Sequence, residues 1–352
     1  MPGNPLVSVV LPVKLKDASW KSYFDAAVSS ILSQRFSDFE LIIVDGTRPG
    51  EAGLLSSLED LDNRIVHIRR PDLDLVGSLN EGCRASRGKY IARMDADDVS
   101  LPDRLGRQVD YLEAHSEIGV LGTWLRIFDA KGRAMKDVHY PETPGIVRWT
   151  LIFDNCIAHP TVMMRRDTVA PLGFYRSCDS YGVPLAEDYD LWVRASAVSG
   201  VANLPEVLLL HRFWADSKTA FEEKSLKVMG AEVVPYIVSR FIKGGDLMRD
   251  VSPLQNLMNY HMTIESAKAA SASRFIERLY GAYMTSSSLD PTEARLVTAD
   301  AATRLFHLAW LSRKGPLLVT VPIVLRALHI HPALVLPWDP AFPLRMLMDH
   351  FD

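Results

Sequence analysis

Tyr90-Ile91-Ala92-Arg93-Met94-Asp95-Ala96-Asp97-Asp98 passes from a buried-strand pattern into an acidic turn without a break. Tyr90 to Met94 is a short apolar run of strand length. It ends in three carboxylates within four residues. Carboxylates this close repel one another, and a hard divalent ion with oxygen ligands removes the repulsion. An isolated cluster of this kind is equally well explained as a solvated acidic turn. Pro102 then opens a helix with Leu105, Val109 and Leu112 on one face.

Upstream, strand and helix patterns alternate. Val7 to Leu11 is apolar and β-branched. Trp20, Phe24, Ala27, Val28, Ile31 and Leu32 are spaced for one face of a helix, with Asp17 or Ser19 as its cap. Phe39 to Val44 reads as a second buried strand ending at Asp45-Gly46, and Ile65 to Ile68 as a third. Leu54 to Leu61 and Ser78 to Ser86 suit helices, the latter stopping near Gly88. This order predicts an α/β fold, Rossmann-like, with a mostly parallel sheet flanked by helices. Ligands of such sheets bind beyond the carboxyl ends of the strands. Asp45 and the Asp95 to Asp98 turn both lie at predicted strand ends, so two segments deliver carboxylates to one edge.

Downstream, Val120 to Phe128, Thr161 to Met164 and Val207 to His211 read as strands, and Ala186 to Ala195 as the start of a helix. That helix opens on a second acidic cluster, Glu187-Asp188-Tyr189-Asp190-Leu191-Trp192. The helix dipole favours acids in a first turn, and the same acids suit removal of a proton from a hydroxyl. After Lys218 the chain reads as mainly helical, with breaks at Gly244-Gly245, Pro253 and Pro291. Leu317 to Leu336 is apolar enough to raise the question of a membrane span, but Arg326, Pro322 and Pro332 argue against one. A helix packed on the domain or on a partner, and an interfacial membrane contact, both fit this stretch.

The 352 residues carry 39 Lys+Arg against 43 Asp+Glu, a net charge of −4, so bulk positive charge for nucleic acid is missing. An apolar share of 48% excludes a disordered chain and a polytopic membrane protein. Cys83, Cys156 and Cys178 form no CxxC, which argues against a disulfide framework and a cysteine zinc site and points to a reducing compartment. No basic segment precedes Leu6 to Val13 and Pro12 interrupts it, so it reads as a strand rather than an export signal. A P-loop, GxGxxG after a strand, HExxH and GxSxG are all missing.

Taken in order, the motifs resemble family 2 glycosyltransferases, the inverting, bacterial-type enzymes of GT-A fold. Val7-Ser8-Val9-Val10-Leu11-Pro12-Val13 is similar to their opening strand, and Glu40-Leu41-Ile42-Ile43-Val44-Asp45 to their second. Leu79 to Asp98, continued by Pro102-Asp103-Arg104-Leu105, resembles the family's most recognisable block. His159-Pro160-Thr161-Val162-Met163 and Glu187 to Trp192 resemble later blocks. The resemblance covers roughly residues 5 to 215. It departs at Lys14-Leu15, where Tyr-Asn is usual. It departs again at Asp45-Gly46-Thr47, one acid short, and at His211-Arg212-Phe213-Trp214, where Tyr-Arg-x-His is common.

The resemblance implies transfer of a sugar from a UDP-, GDP- or dTDP-linked donor to a hydroxyl of a glycan or lipid-linked acceptor, in surface polysaccharide or glycolipid assembly. Pro12 and Val13 then flank the nucleobase, Asp45 accepts its hydrogen bonds, and Arg93 and Asp95 lie by the diphosphate. Asp97 and Asp98 touch Mn²⁺ or Mg²⁺. Asp188 is the catalytic base beside Glu187. His159, Trp192, His211 and Arg212 fall on the acceptor side. Residues 1–215 are expected to form the catalytic domain. Residues 216–352 are expected to form a mainly helical region for acceptor, homo-oligomer or membrane surface. The expected location is cytoplasmic, either free or peripheral at the membrane's cytoplasmic face. A catalytically silent sugar-nucleotide or glycan-binding module on the same fold is the alternative.

Overall fold

The computed structural model describes residues 3–48, 55, 58, 60–129, 132–176, 187–214, 233–243, 266–313 and 316–332. The expected helix Leu54 to Leu61, the breaks at Gly244-Gly245 and Pro253, and Cys178 lie outside the described residues, wholly or nearly so. The chain divides into two compact units, Met1–Glu142 with Ile157–Thr219, and Thr143–Cys156 with Ala220–Asp352.

In the first unit the elements run β1 (Val7–Val13), α1 (Lys21–Leu32), β2 (Phe39–Asp45), β3 (Ile65–Arg69), α2 (Leu75–Ala85), β4 (Tyr90–Arg93), β5 (Val99–Ser100), α3 (Arg104–Ala114), β6 (Ile118–Phe128) and β7 (Ala134–Val138). After the excursion of Thr143–Cys156 come β8 (Met163–Arg165), α5 (Arg166–Val169), α6 (Glu187–Ala195) and β9 (Gly200–Arg212). The nine strands form one sheet in the order β3-β2-β1-β4-β8-β6-β9-β5, with β7 added to β6.

The first four strands are parallel, as expected where helices make the crossovers. The rest is mixed. β8 runs antiparallel to β4 and β6, β9 parallel to β6, and β5 antiparallel to β9. All of β1 and β2 is buried, which is why both read as mainly apolar runs, interrupted at Ser8 and Glu40, which bond each other. Pro12 is tolerated in a central strand for a local reason. It shares the orientation of Val10, toward β4, and β4 ends at Arg93 opposite Val10, so no ladder bond is lost.

Helix α2 lies close on this sheet: a Cβ on Gly82 would meet Val10 Cγ1 at 2.4 Å. The turn after it is tied by a buried carboxylate. Glu40 accepts from Ser8 Oγ at 2.7 Å, from Arg87 N at 2.9 Å and from the Arg87 guanidinium. One continuous core runs from Val7 and Phe24 to Met163 and Leu209.

The described residues of the second unit form the helices α4 (Pro144–Thr150), α7 (Val234–Val238), α8 (Ser266–Ser286), α9 (Pro291–Leu311) and α10 (Leu317–Ile330). Asp290 and Glu293 form a capping box at the start of α9. Glu293 also accepts from Gly145 N at 2.7 Å, while Tyr283 Oη donates to Gly145 O at 2.6 Å, so α4 is bonded into this unit. On α10, Ile323 and Ala327 are buried, whereas Leu317 and Leu318 are 76% and 88% exposed. Among the described residues no helix is long and apolar enough to cross a membrane; Ala333 to Leu336 lie outside them.

Candidate active site

The strand order turns at β1, which has β2 on one side and β4 on the other, so Val13, Asp45 and Arg93 end at one edge. Beyond β4 the chain makes the acidic turn and returns through β5. Val99 of β5 pairs with Leu210 of β9, and this antiparallel register sets Asp98 against His211. Asp98 Oδ2 lies 3.0 Å from His211 Nδ1, and Asp98 Oδ1 accepts from Arg212 N at 2.9 Å. Arg212 Nε donates to Asp97 O at 3.0 Å, and Trp214 Nε1 donates to Asp97 Oδ2 at 2.7 Å. Asp95 is ion-paired with Arg93. The tail of β9 therefore clamps the turn along its length.

These charges perturb one another. Burial, then the charges of Asp95 and Asp98, push Asp97 up to about 6. Burial also raises Asp98, against the pull of His211. Burial disfavours the charged form of His211, but its bond to Asp98 and the charges of Asp98, Asp95 and Asp97 outweigh that and raise it to about 9. Asp95, Asp98 and His211 each offer one ligand atom, and these atoms lie within 4.8 Å of one another. Two carboxylates and an imidazole are a fitting donor set for a divalent ion. At neutral pH a protonated His211 supplies the neutralising charge instead, and ion binding would release that proton.

Arg93 is buried, and its Nε has no hydrogen-bond partner among the described residues. Beneath it, the buried Arg104 donates to Arg93 O at 2.7 Å and bonds Gln108 at 3.2 Å, bracing the end of β4 from α3. At the end of β2, Asp45 is 1% exposed. Its Oδ1 accepts from Thr47 N at 2.7 Å, whereas Oδ2 makes no hydrogen bond and stands 3.4 Å from His67 Nε2.

Glu187 and Asp188 open α6, where the positive end of the helix dipole favours them. Glu187 Oε1 lies 3.9 Å from His159 Nδ1, and His159 Nε2 is 3.0 Å from Tyr175 Oη. Burial and the charge of Arg93 hold His159 well below the usual histidine value. Tyr175 is raised well above its ordinary value, first by burial, and the charges of Arg93, Asp188 and Glu187 all act on it. The two acidic clusters therefore adjoin around Arg93, His159 and Tyr175.

The Glycosyl transferase family 2 model matches residues 8–170. WbnJ of Escherichia coli, an O-antigen biosynthesis glycosyltransferase, is 36% identical over 191 residues, which span 54% of this chain and 71% of that protein. The chain belongs to glycosyltransferase family 2. AmsE of Erwinia amylovora, an amylovoran biosynthesis glycosyltransferase, is 33% identical over 146 residues, 41% of this transferase and 53% of AmsE. The crystal structure of S. aureus TarS 1–349 aligns with a TM-score of 0.51 at 11% identity, covering 94% of this transferase and 91% of that chain. At that identity the likeness speaks for the fold alone, which is GT-A. The transferase is an enzyme, so the silent-module alternative falls away.

Of the residues read from the sequence, Pro12, Val13, Asp45, Arg93, Asp95, Asp97 and Asp98 stand at strand ends or in the acidic turn. His211 and Arg212, read as acceptor-side, are the residues that grip this turn. His159 touches Tyr175, and Trp192 is fully buried beneath His159, their ring centroids 5.9 Å apart. The roles of His67, Asn80, Arg104, Tyr175 and Trp214 are not legible in the sequence, although Asn80, Arg104 and Trp214 stand in the quoted blocks, because the partner of each lies elsewhere in the chain.

Proposed function

We propose that the transferase moves a sugar from a nucleotide-sugar donor to an acceptor hydroxyl in one metal-dependent, inverting displacement. The observation that carries this is the convergence of two acidic clusters of different character around Arg93. One is a tight turn in which Asp97 and Asp98 are raised and Asp95 and Asp98 face His211; the other is a carboxylate pair at a helix start.

Asp45 Oδ2, a buried acceptor that faces His67 and has no hydrogen bond among the described residues, suits a donor group on the nucleobase edge, with Pro12 and Val13 beside it. Arg93 Nε, a buried donor with no hydrogen-bond partner among the described residues, suits a diphosphate oxygen, and Asp95 lies beside it, paired with the same guanidinium. Asp95, Asp98 and His211 would hold Mn²⁺ or Mg²⁺, with Asp97 kept to one side by Trp214. Bound there, the ion would neutralise charge on the leaving diphosphate. Asp188 takes the proton from the acceptor hydroxyl as that oxygen bonds to the anomeric carbon. The bond from that carbon to the diphosphate oxygen breaks, and its electron pair leaves with the nucleoside diphosphate. One displacement inverts the anomeric centre.

Incubation with a panel of UDP-, GDP- and dTDP-sugars and either ion, read as donor turnover, tests this reading. Asp188→Asn is expected to lower turnover by about a hundredfold or more with donor binding kept. Full turnover in that variant would remove Asp188 as the base.

The roles of the helical unit are proposals of the same kind. The curated relatives named above act in O-antigen and amylovoran biosynthesis, which favours a surface glycan on a lipid carrier as acceptor. The exposed leucines of α10 suit a membrane surface or a second copy. Liposome co-sedimentation and mass in solution separate the two.

A further inference from the structure

We propose that Tyr175 is a positioning residue for the transfer, acting through His159 on the first turn of α6. This rests on the reading of Asp188 as the base.

Tyr175 stands where the backbone has little freedom. It follows Gly173 and Phe174, whose φ angles are 78° and 57°. The second is a left-handed conformation on a bulky residue, which persists only where the surroundings hold it. Two helices do so. From α6, Arg194 donates to Leu172 O at 2.9 Å and to Phe174 O at 2.7 Å, its Nε tied to Asp190 at 2.7 Å. From α2, Asn80 bonds both backbone groups of Tyr175, donating to its O at 2.9 Å and accepting from its N at 3.0 Å.

What this placement produces is one side-chain contact. Tyr175 Oη meets His159 Nε2 at 3.0 Å, with the ring centroids 5.3 Å apart. Trp192 packs edge-on against the imidazole from beneath. When the phenol donates to Nε2, the single proton of the neutral imidazole sits on Nδ1 and faces Glu187 Oε1 at 3.9 Å. The imidazole dipole then points its positive end at the carboxylate that begins α6. Glu187 is the neighbour of Asp188, so the hydroxyl of Tyr175 sets where the base stands. Displacement of a base by about 1 Å is enough to cost up to about a hundredfold in rate.

The test measures kcat, donor KM and thermal midpoint for Tyr175→Phe, Glu187→Gln, their double variant, and Asp188→Asn. Tyr175→Phe is expected to lower kcat about tenfold or more, with donor KM within about twofold and a midpoint lowered by no more than several degrees. The double variant is expected to match Glu187→Gln alone, because the two side chains act in one chain. Wild-type kcat in Tyr175→Phe overturns the proposal, as does a loss that adds in full to that of Glu187→Gln. Asn80→Ala, which frees the Tyr175 backbone and leaves its hydroxyl, is expected to show the same split of kcat from KM. If Asn80→Ala keeps wild-type kcat, the placement argument fails even where Tyr175→Phe does not fold. Asp188→Asn separates the two readings: if it retains turnover, the base assignment has failed, whatever Tyr175→Phe shows.

Discussion

Trp214 donates its indole N–H to Asp97 Oδ2 across 2.7 Å, joining residues 117 positions apart. The same indole stacks on Trp20 with ring centroids 5.0 Å apart and meets Tyr23 edge-on at 5.1 Å. One carboxylate of the acidic turn is thereby held to one side, while Asp95 and Asp98 face His211.

Trp214→Phe keeps the aromatic packing and removes the hydrogen bond. Hydrogen bonds to charged groups are worth about 1.5–3 kcal/mol. The concentration of Mn²⁺ needed for half-maximal turnover is expected to rise about tenfold, with the thermal midpoint lowered by only several degrees. A metal titration of activity beside a melting curve checks this; an unaltered metal requirement would show that Asp97 is oriented without Trp214.

His211→Ala removes one of three ligand atoms and leaves Asp95 and Asp98 in place. Binding of Mn²⁺ to the full chain, followed by electron paramagnetic resonance without any donor, is expected to weaken about tenfold or more. Because His211 is raised to about 9, ion binding to the wild-type chain should release a proton near neutral pH, and His211→Ala should abolish that release.

Glu40→Ala leaves the buried Ser8 hydroxyl and the Arg87 guanidinium without their carboxylate. Leaving a buried polar group unsatisfied costs about 1–3 kcal/mol, seen as a lower midpoint in denaturant, while the half-exposed Arg87 is rehydrated. Burial works to raise Glu40, but its bonds to Arg87 and Ser8 hold it below its ordinary value in the folded chain. Its stabilisation is therefore complete above the unfolded carboxylate range and is lost as pH falls through the lower folded value. The difference between wild type and Glu40→Ala should shrink in acid.

Asp154 behaves with the opposite sign. Burial pushes it up to about 6, against the charge of Arg304. Between about pH 4 and 6 the unfolded chain has lost this proton and the folded chain has not, so stability falls as pH rises through that window. The loss is on the order of 3 kcal/mol and is complete above pH 6. Asp154→Asn should flatten that part of the stability profile and raise the midpoint at neutral pH.

Much of the first unit is legible residue by residue. β1, β2, β3 and β4 appear at the expected places because each is a short, mainly apolar and β-branched run, a local property. Carboxylates at the ends of such runs are equally local, so Asp45 and Asp95 to Asp98 could be placed on one edge. β9 runs from Gly200 to Arg212, whereas only Val207 to His211 was read as strand. Asn203, Pro205 and Glu206 interrupt the apolar pattern, and the pairing with β6 shifts register at that point. β5 is two residues long, too short to carry any pattern, yet its pairing with β9 decides that His211 faces Asp98.

The sequence by itself determined which strands are central, which ends carry acid, and which helix begins with Glu187 and Asp188. Short-range periodicity and composition are enough for those. Only the tertiary structure decided the partners: His211 and Trp214 for the acidic turn, Tyr175 and His159 for Glu187, and Arg104 beneath Arg93. These contacts join residues far apart in the chain, and their geometry follows from strand register and helix placement, which no single segment encodes.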